Sequence, residues 1–153
     1  MANPLYGQNK ADGQVGWLQN HKVTKAHGAL GDNLVLTAAD MIDAIAISAD
    51  PAAARTITTP TAALTIAAIK VRADDGKCEI GDTFQFSFIN IGSVGVDETC
   101  TMTAGTGYTI IGFADVENPV TTHDAFSTGS SLWAVQVTNN VSGSEACDII
   151  RLA

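Results

Sequence analysis

The sequence predicts a mainly β protein: a β-sandwich or jelly-roll-like domain with one or two short helices and an extended N-terminal arm. Three observations carry this. Runs of alternating apolar and polar residues recur at short, regular spacing from position 34 onward, the pattern of half-buried strands. Two helix-start signatures interrupt them in the first half of the chain. Residues 1–33 hold neither a period of two nor one of 3.6. The expected organisation is an arm over residues 1–33 and a β-sandwich domain over residues 34–153.

The arm comes first. It contains Gly7, Gly13, Gly16, Gly28 and Gly31, one proline, and many Asn, Gln and Lys. Its apolar residues, among them Leu5, Tyr6, Val15, Trp17, Leu18, Val23 and Leu30, are scattered. Such a segment cannot build its own core, and ordering about 30 residues costs on the order of 30–60 kcal/mol of backbone entropy. It is either a flexible leader or laid along another surface. Tyr6, Trp17 and Leu18 are too apolar for an idle tail, which favours the second reading. Leu5, Tyr6, Trp17 and Leu18 are then the expected interface anchors, since buried aromatics dominate binding energy at interfaces.

The body follows element by element. Leu34-Val35-Leu36 reads as a short strand. Thr37 can cap a helix, and Asp40 three residues later completes a capping-box-like pair. Met41, Ile42 and Ile45 would share one face of that helix. Ile45 to Ser48 already has strand character, Asp50-Pro51 marks a turn, and Arg55 to Thr58 alternates. Thr59-Pro60-Thr61-Ala62-Ala63 is a second helix start, a cap residue with proline at the first helical position. Leu64 to Val71 is apolar nearly all round and reads as a helix covered on most sides, with a buried strand as the competing reading. A polar turn over Ala73 to Lys77 ends it.

The rest is strands. Asp82 to Asn90 puts Phe84, Phe86 and Phe88 on one face. Glu98 to Thr103 alternates, and Ala104-Gly105-Thr106-Gly107 predicts a hairpin with a left-handed glycine. Tyr108 to Phe113 follows, then a loop over Glu117 to Thr128. Ser131 to Thr138 opposes Trp133, Val135 and Val137 to Leu132 and Ala134. A turn over Asn139 to Gly143 leads to the last strand, Glu145 to Leu152.

Composition excludes several classes. Charged residues are only 16%, below the roughly 25% of an average soluble protein. Much of such a surface is expected to meet other protein. Net charge is −8, yet residues 1–31 carry three lysines against one aspartate, leaving −10 on the remainder. A body of that sign repels phosphate backbones, so no nucleic-acid partner is expected. No stretch reaches the ~18 apolar residues of a membrane span, and Met1-Ala2-Asn3-Pro4 does not open a secretory signal. No membrane association is expected, and synthesis and folding in cytosol are the default.

Chemistry is sparse. Cys78, Cys100 and Cys147 have no close spacing, which argues against a disulfide framework or zinc knuckle; buried thiols are expected, with one bridge and a leftover thiol still open. His21, His27 and His123 do not have metal-ligand spacing, and Asp74-Asp75-Gly76 lacks the ligand series of a calcium loop. No metal or cofactor site is predicted. The pairs Asp115/Glu117 and Asp97/Glu98 read as surface acids rather than a glycosidase pair. Trp133 reads as core or subunit interface. Arg55 reads as a surface arginine or as partner of a buried carboxylate such as Asp82. The chain is not expected to be an enzyme.

Several stretches carry a family resemblance. They are Leu36-Thr37-Ala38-Ala39-Asp40-Met41-Ile42; Arg55-Thr56-Ile57-Thr58-Thr59-Pro60-Thr61-Ala62-Ala63; Gly81 to Asn90; Thr101 to Thr109; Val137-Thr138-Asn139; and Ser142 to Ala146. On these, the run from Leu36 to Leu152 resembles a family of tailed-phage virion proteins, small capsid decoration or head-structural proteins frequent among marine phages. The opening Met1 to Lys10 is similar to leaders on such proteins. The loop at Glu117 to Phe126 looks long for the family. The resemblance implies a cement protein on the surface of a bacteriophage capsid. It would bind the major capsid protein, often as a trimer, without catalysis, after synthesis in the host cytoplasm. A head-fibre or tail-associated receptor-binding protein is the alternative.

Overall fold

A computed structural model describes residues 22–73, 75–92, 98–117 and 129–153. The expected anchors Leu5, Tyr6, Trp17 and Leu18 lie outside the described residues, as do His21, Asp74, Asp97, His123 and nearly all of the expected loop over 117–128. In chain order the elements are β1 (Lys22–Leu30), β2 (Leu34–Val35), α1 (Ala38–Asp43), β3 (Ala44–Pro51), β4 (Arg55–Thr58), α2 (Ala62–Arg72), β5 (Thr83–Asn90), β6 (Cys100–Thr103), β7 (Tyr108–Ile111), β8 (Asp115–Val116), β9 (Ser130–Asn139) and β10 (Ala146–Arg151).

Alternation builds the centre. β5 buries Phe84, Phe86 and Phe88, and β9 buries Trp133, Val135 and Val137. The two strands run antiparallel with Phe84 opposite Val135 and Phe86 opposite Trp133, so the bulky side chains share one face. β10 returns beside β9 and adds Cys147 and Ile149. These strands are the middle of a six-stranded sheet in the order β1-β3-β5-β9-β10-β7, opposite a four-stranded sheet in the order β2-β4-β6-β8. Ile57, Cys100, Met102 and Val116 of the smaller sheet join Met41 and Ile66 of the helices and the large residues of the first sheet in one buried cluster. The described residues are mainly β, with two sheets and two helices. Its pairing is mixed: β1–β3, β3–β5, β7–β10, β2–β4 and β4–β6 are parallel, where a jelly roll runs antiparallel.

The first helix starts where the capping box puts it. The Asp40 N–H donates to Thr37 Oγ1 at 3.1 Å and the Thr37 N–H donates to Asp40 Oδ2 at 3.0 Å. α2 starts two residues later than Pro60 suggests: the cap is Thr61, whose hydroxyl accepts from the Leu64 N–H at 3.3 Å. Thr59 is free of that duty and accepts instead from the Gly105 N–H, at 2.8 Å. α2 is also covered on one face only. Ala62, Thr65, Ile66 and Ile69 are buried, whereas Leu64 and Val71 are 60% and 83% exposed.

The arm boundary needs correcting. Residues 22–30 pair with β3, Thr24 opposite Ala46 and Lys25 opposite Ile47, as the edge strand of the larger sheet. Lack of an apolar period does not prevent this, because an edge strand gains its order from backbone pairing with a sheet already formed. Charge adds to it: Lys25 Nζ lies 3.3 Å from the buried Asp40 carboxylate, and His27 Nε2 stands 3.6 Å from it. The Arg55 guanidinium then holds the β1–β2 connection through the carbonyls of Leu30 and Gly31, at 3.4 and 2.6 Å. Against the two readings left open for Arg55, a surface arginine or a partner of a buried carboxylate such as Asp82, these bonds go to backbone carbonyls instead.

Asp40 gives a pH prediction. Burial alone raises its carboxyl, but the Thr37 backbone and hydroxyl and the Lys25 charge together hold it below its ordinary 3.8. A carboxyl depressed by folding adds stability above its unfolded pKa and loses it as pH falls through the lower, folded value. Stability is therefore lost below pH 3.8 as Asp40 takes up its proton. Asp40→Asn costs about 1 kcal/mol at neutral pH and flattens that acid limb. Urea midpoints across the acid range check this; an unchanged acid slope in the variant contradicts it.

The 104–107 turn also departs from expectation. It is not a hairpin, because β6 pairs with β4 and β8 while β7 pairs with β10. The turn carries the chain from the smaller sheet to the larger. Gly107 is left-handed as predicted, with φ 82°. The packing around it explains the route: the Ala62 N–H donates to Thr106 O at 2.9 Å and the Cys147 N–H to Gly107 O at 2.9 Å.

Candidate functional site

The crossing turn, the ends of β2 and β4 and the starts of both helices enclose one open groove of about 610 Å³. Val35, Leu36, Thr37 and Ala38 form one wall; Thr58 to Thr61 and Leu64 form the other; Gly105 and Thr106 close the end. The sequence places them there for local reasons. Each wall ends in a threonine-capped helix start, and the turn packs beneath Thr59 and Pro60 because Gly105 has no side chain. A Cβ at Gly105 would collide with the carbonyl oxygens of both residues.

The groove is rich in threonine but chemically apolar. Thr37 and Thr61 use their hydroxyls as helix caps. Thr58 Oγ1 and Thr103 Oγ1 share a hydrogen bond of 2.9 Å, and Thr59 Oγ1 accepts from Gly105. In these bonds Thr37, Thr59 and Thr61 only accept, so an occupant meets their methyl groups and the O–H donors that the bonds leave over. Among the described residues no titratable side chain lines the groove. What it can do is bury apolar surface. Val35 and Leu64, 65% and 60% exposed, supply the rim.

Elsewhere the chemistry-bearing residues are engaged in structure. Cys78, Cys100 and Cys147 are buried and none is in a disulfide, so the alternative of one bridge does not hold. Burial, with the Glu98 charge near Cys100 and with Cys78 near Cys147, pushes both of these thiols up to about 12. They stay protonated and unreactive. Trp133 is core: fully buried, its Nε1–H donates to Ser131 Oγ at 2.7 Å, and the Arg151 guanidinium stands 5.3 Å from the ring centroid. Asp115 accepts from Thr101 Oγ1 at 2.7 Å. Asp43 and Arg72 join the two helices by a bidentate pair. Glu98 departs from the surface-acid reading: it is 3% exposed. Among the described residues no three His, Cys, Asp or Glu side chains converge, and no helix is long and apolar enough to cross a membrane.

The predicted anchors lie outside the described residues, and the groove is not among the sequence-based expectations. A signal for it existed in Leu64. A helix apolar nearly all round was read as covered, whereas the same pattern fits a helix whose apolar excess faces outward. Comparison of the chain with protein-family models, with curated proteins and with solved structures finds no match in any of the three.

Proposed function

We propose that the protein is a structural component of a phage virion, a capsid decoration protein that binds the major capsid protein and stabilises the head. The observation that carries this reading is the groove with its exposed Val35 and Leu64 rim and no titratable side chain in its wall. An occupant gains there from apolar burial and shape, which suits a side chain of another protein better than a polar substrate. Burying one aromatic side chain of 150–250 Å² contributes about 4–6 kcal/mol before ordering costs. Many copies anchored on one shell need no stronger single contact. The low charge content of the chain and the resemblance of residues 36–152 to head proteins support the same reading. Residues 1–21, with Leu5, Tyr6, Trp17 and Leu18, are the part of the arm left to contact neighbouring subunits, in a trimer.

Two variants test it on purified shells. Val35→Asp with Leu64→Asp lowers binding at least about tenfold, or ~1.4 kcal/mol. Each substitution changes stability by no more than about 0.5 kcal/mol, because both positions are exposed. Deleting residues 1–21, which leaves β1 in place, weakens shell binding with the melting temperature unchanged. Full binding by the first variant overturns the groove, and by the second the arm. Micrographs showing copies only at the tail would assign the chain to a receptor-binding role instead.

A further inference from the structure

We propose that the protein binds a hard cation of the calcium class where Glu98, Asn90 and Pro51 bring their oxygens together at the end of β5. Glu98 is 3% exposed and its Oε2 is buried with no hydrogen-bond partner. An ionised carboxylate left so is costly, and folded proteins meet that cost with a cation or a proton. The surroundings are acceptors: a proton on the carboxyl would serve one of them, whereas a cation serves all of them together. The Asn90 amide, itself fully buried, is fixed in orientation: its Nδ2 donates to Glu98 O at 2.5 Å and to Val116 O at 3.0 Å. Its Oδ1 must therefore face the other way, where it takes the Gly92 N–H at 3.0 Å. A Cβ built on Gly92 would collide with Glu98 Oε2 and stand 3.1 Å from Asn90 Oδ1 and 3.2 Å from Pro51 O. One carboxylate oxygen, one amide oxygen and one carbonyl oxygen thus surround a single small region beside a residue that has no side chain.

Oxygen ligands of mixed type, from three separate chain segments, suit Ca²⁺, which takes 6–8 oxygens in loose geometry and completes its shell with water. Mg²⁺ demands a tighter octahedron and is the poorer fit. With one formal charge among the ligands, the dissociation constant falls in the weak range, about 10⁻⁴–10⁻³ M. The ion would join the end of β3, the end of β5 and the entry to β6, and so tie the two sheets at one corner. No linear motif announces such a site.

Calorimetric titration of CaCl₂ into the full chain at constant ionic strength, together with melting curves, tests the proposal. Millimolar Ca²⁺ gives binding heat and raises the melting temperature by roughly 1–6 °C, more than Mg²⁺ does. Glu98→Gln loses both effects, while Asp32→Asn, at an exposed acid, keeps them. Absence of heat with the wild-type chain overturns the proposal whether or not Glu98→Gln folds. An equal shift in Glu98→Gln assigns the effect to general screening and overturns it. A Glu98→Gln chain as stable as the wild type, with Ca²⁺ inert towards both, identifies Glu98 as a neutral acid and overturns it too.

Discussion

Replacing Trp133 with alanine lowers the unfolding free energy by about 3–5 kcal/mol. The side chain is fully buried at the junction of β5 and β9, opposite Phe86. Its removal loses the transfer energy of the indole and leaves a cavity that the surrounding strands, fixed by ladders on both sides, cannot close. Two polar consequences follow. Ser131 Oγ, itself buried, loses the Nε1–H donor and keeps only its own bond to Phe88 O at 3.2 Å. Arg151 loses the ring it stands over. A domain whose total stability is on the order of 5–15 kcal/mol then sits near its unfolding threshold. Trp133→Phe restores most of the volume but not the donor, so it falls between alanine and wild type. Urea midpoints at constant m check the order; an alanine variant within about 1 kcal/mol of wild type would remove Trp133 from the core.

Gly107→Ala destabilises by roughly 2–5 kcal/mol, through two separable effects. At φ 82° a side chain meets its own backbone, worth roughly 1–2 kcal/mol. A Cβ there would also stand 2.6 Å from Glu145 O and 2.9 Å from Ala62 Cβ, and relieving that overlap costs about 1–3 kcal/mol more. Gly76→Ala is the control, since its φ is 67° and nothing lies within 4 Å of the added carbon. It pays the conformational cost alone. The difference between the two variants, read from denaturant titrations, measures the collision. Equal losses would show that the turn is not pressed between α2 and β10. Gly105 and Thr106 close the groove, so if the proposed role holds, Gly107→Ala also weakens shell binding where Gly76→Ala does not.

Side-chain alternation made the strands legible. Phe84, Phe86 and Phe88 announce a buried face, and Trp133, Val135 and Val137 announce its neighbour. Thr37 and Asp40 mark a helix start because their bonds are local. What spacing along the chain cannot express is partner choice. Residues 104–107 have the composition of a hairpin turn, yet the strands on either side join different sheets, because the carbonyls of Thr59 and Pro60 and the start of α2 receive the turn. Lys22 to Leu30 carry no apolar period, since an edge strand needs little burial of its own. Glu98 looks like any surface acid until Asn90 and Gly92, distant in pattern, are brought beside it. The groove is likewise a product of long-range packing, and of its residues only Leu64 left a trace in the linear pattern.

The order β1-β3-β5-β9-β10-β7 has a consequence for how a ribosome delivers this protein. On one side β5 meets β3, made before it, but its other partner, β9, begins only at Ser130, some way after β5 ends at Asn90. Over that interval a growing polypeptide carries Phe84, Phe86 and Phe88 without the strand that pairs beside them, and the larger sheet is complete only once β10 has followed.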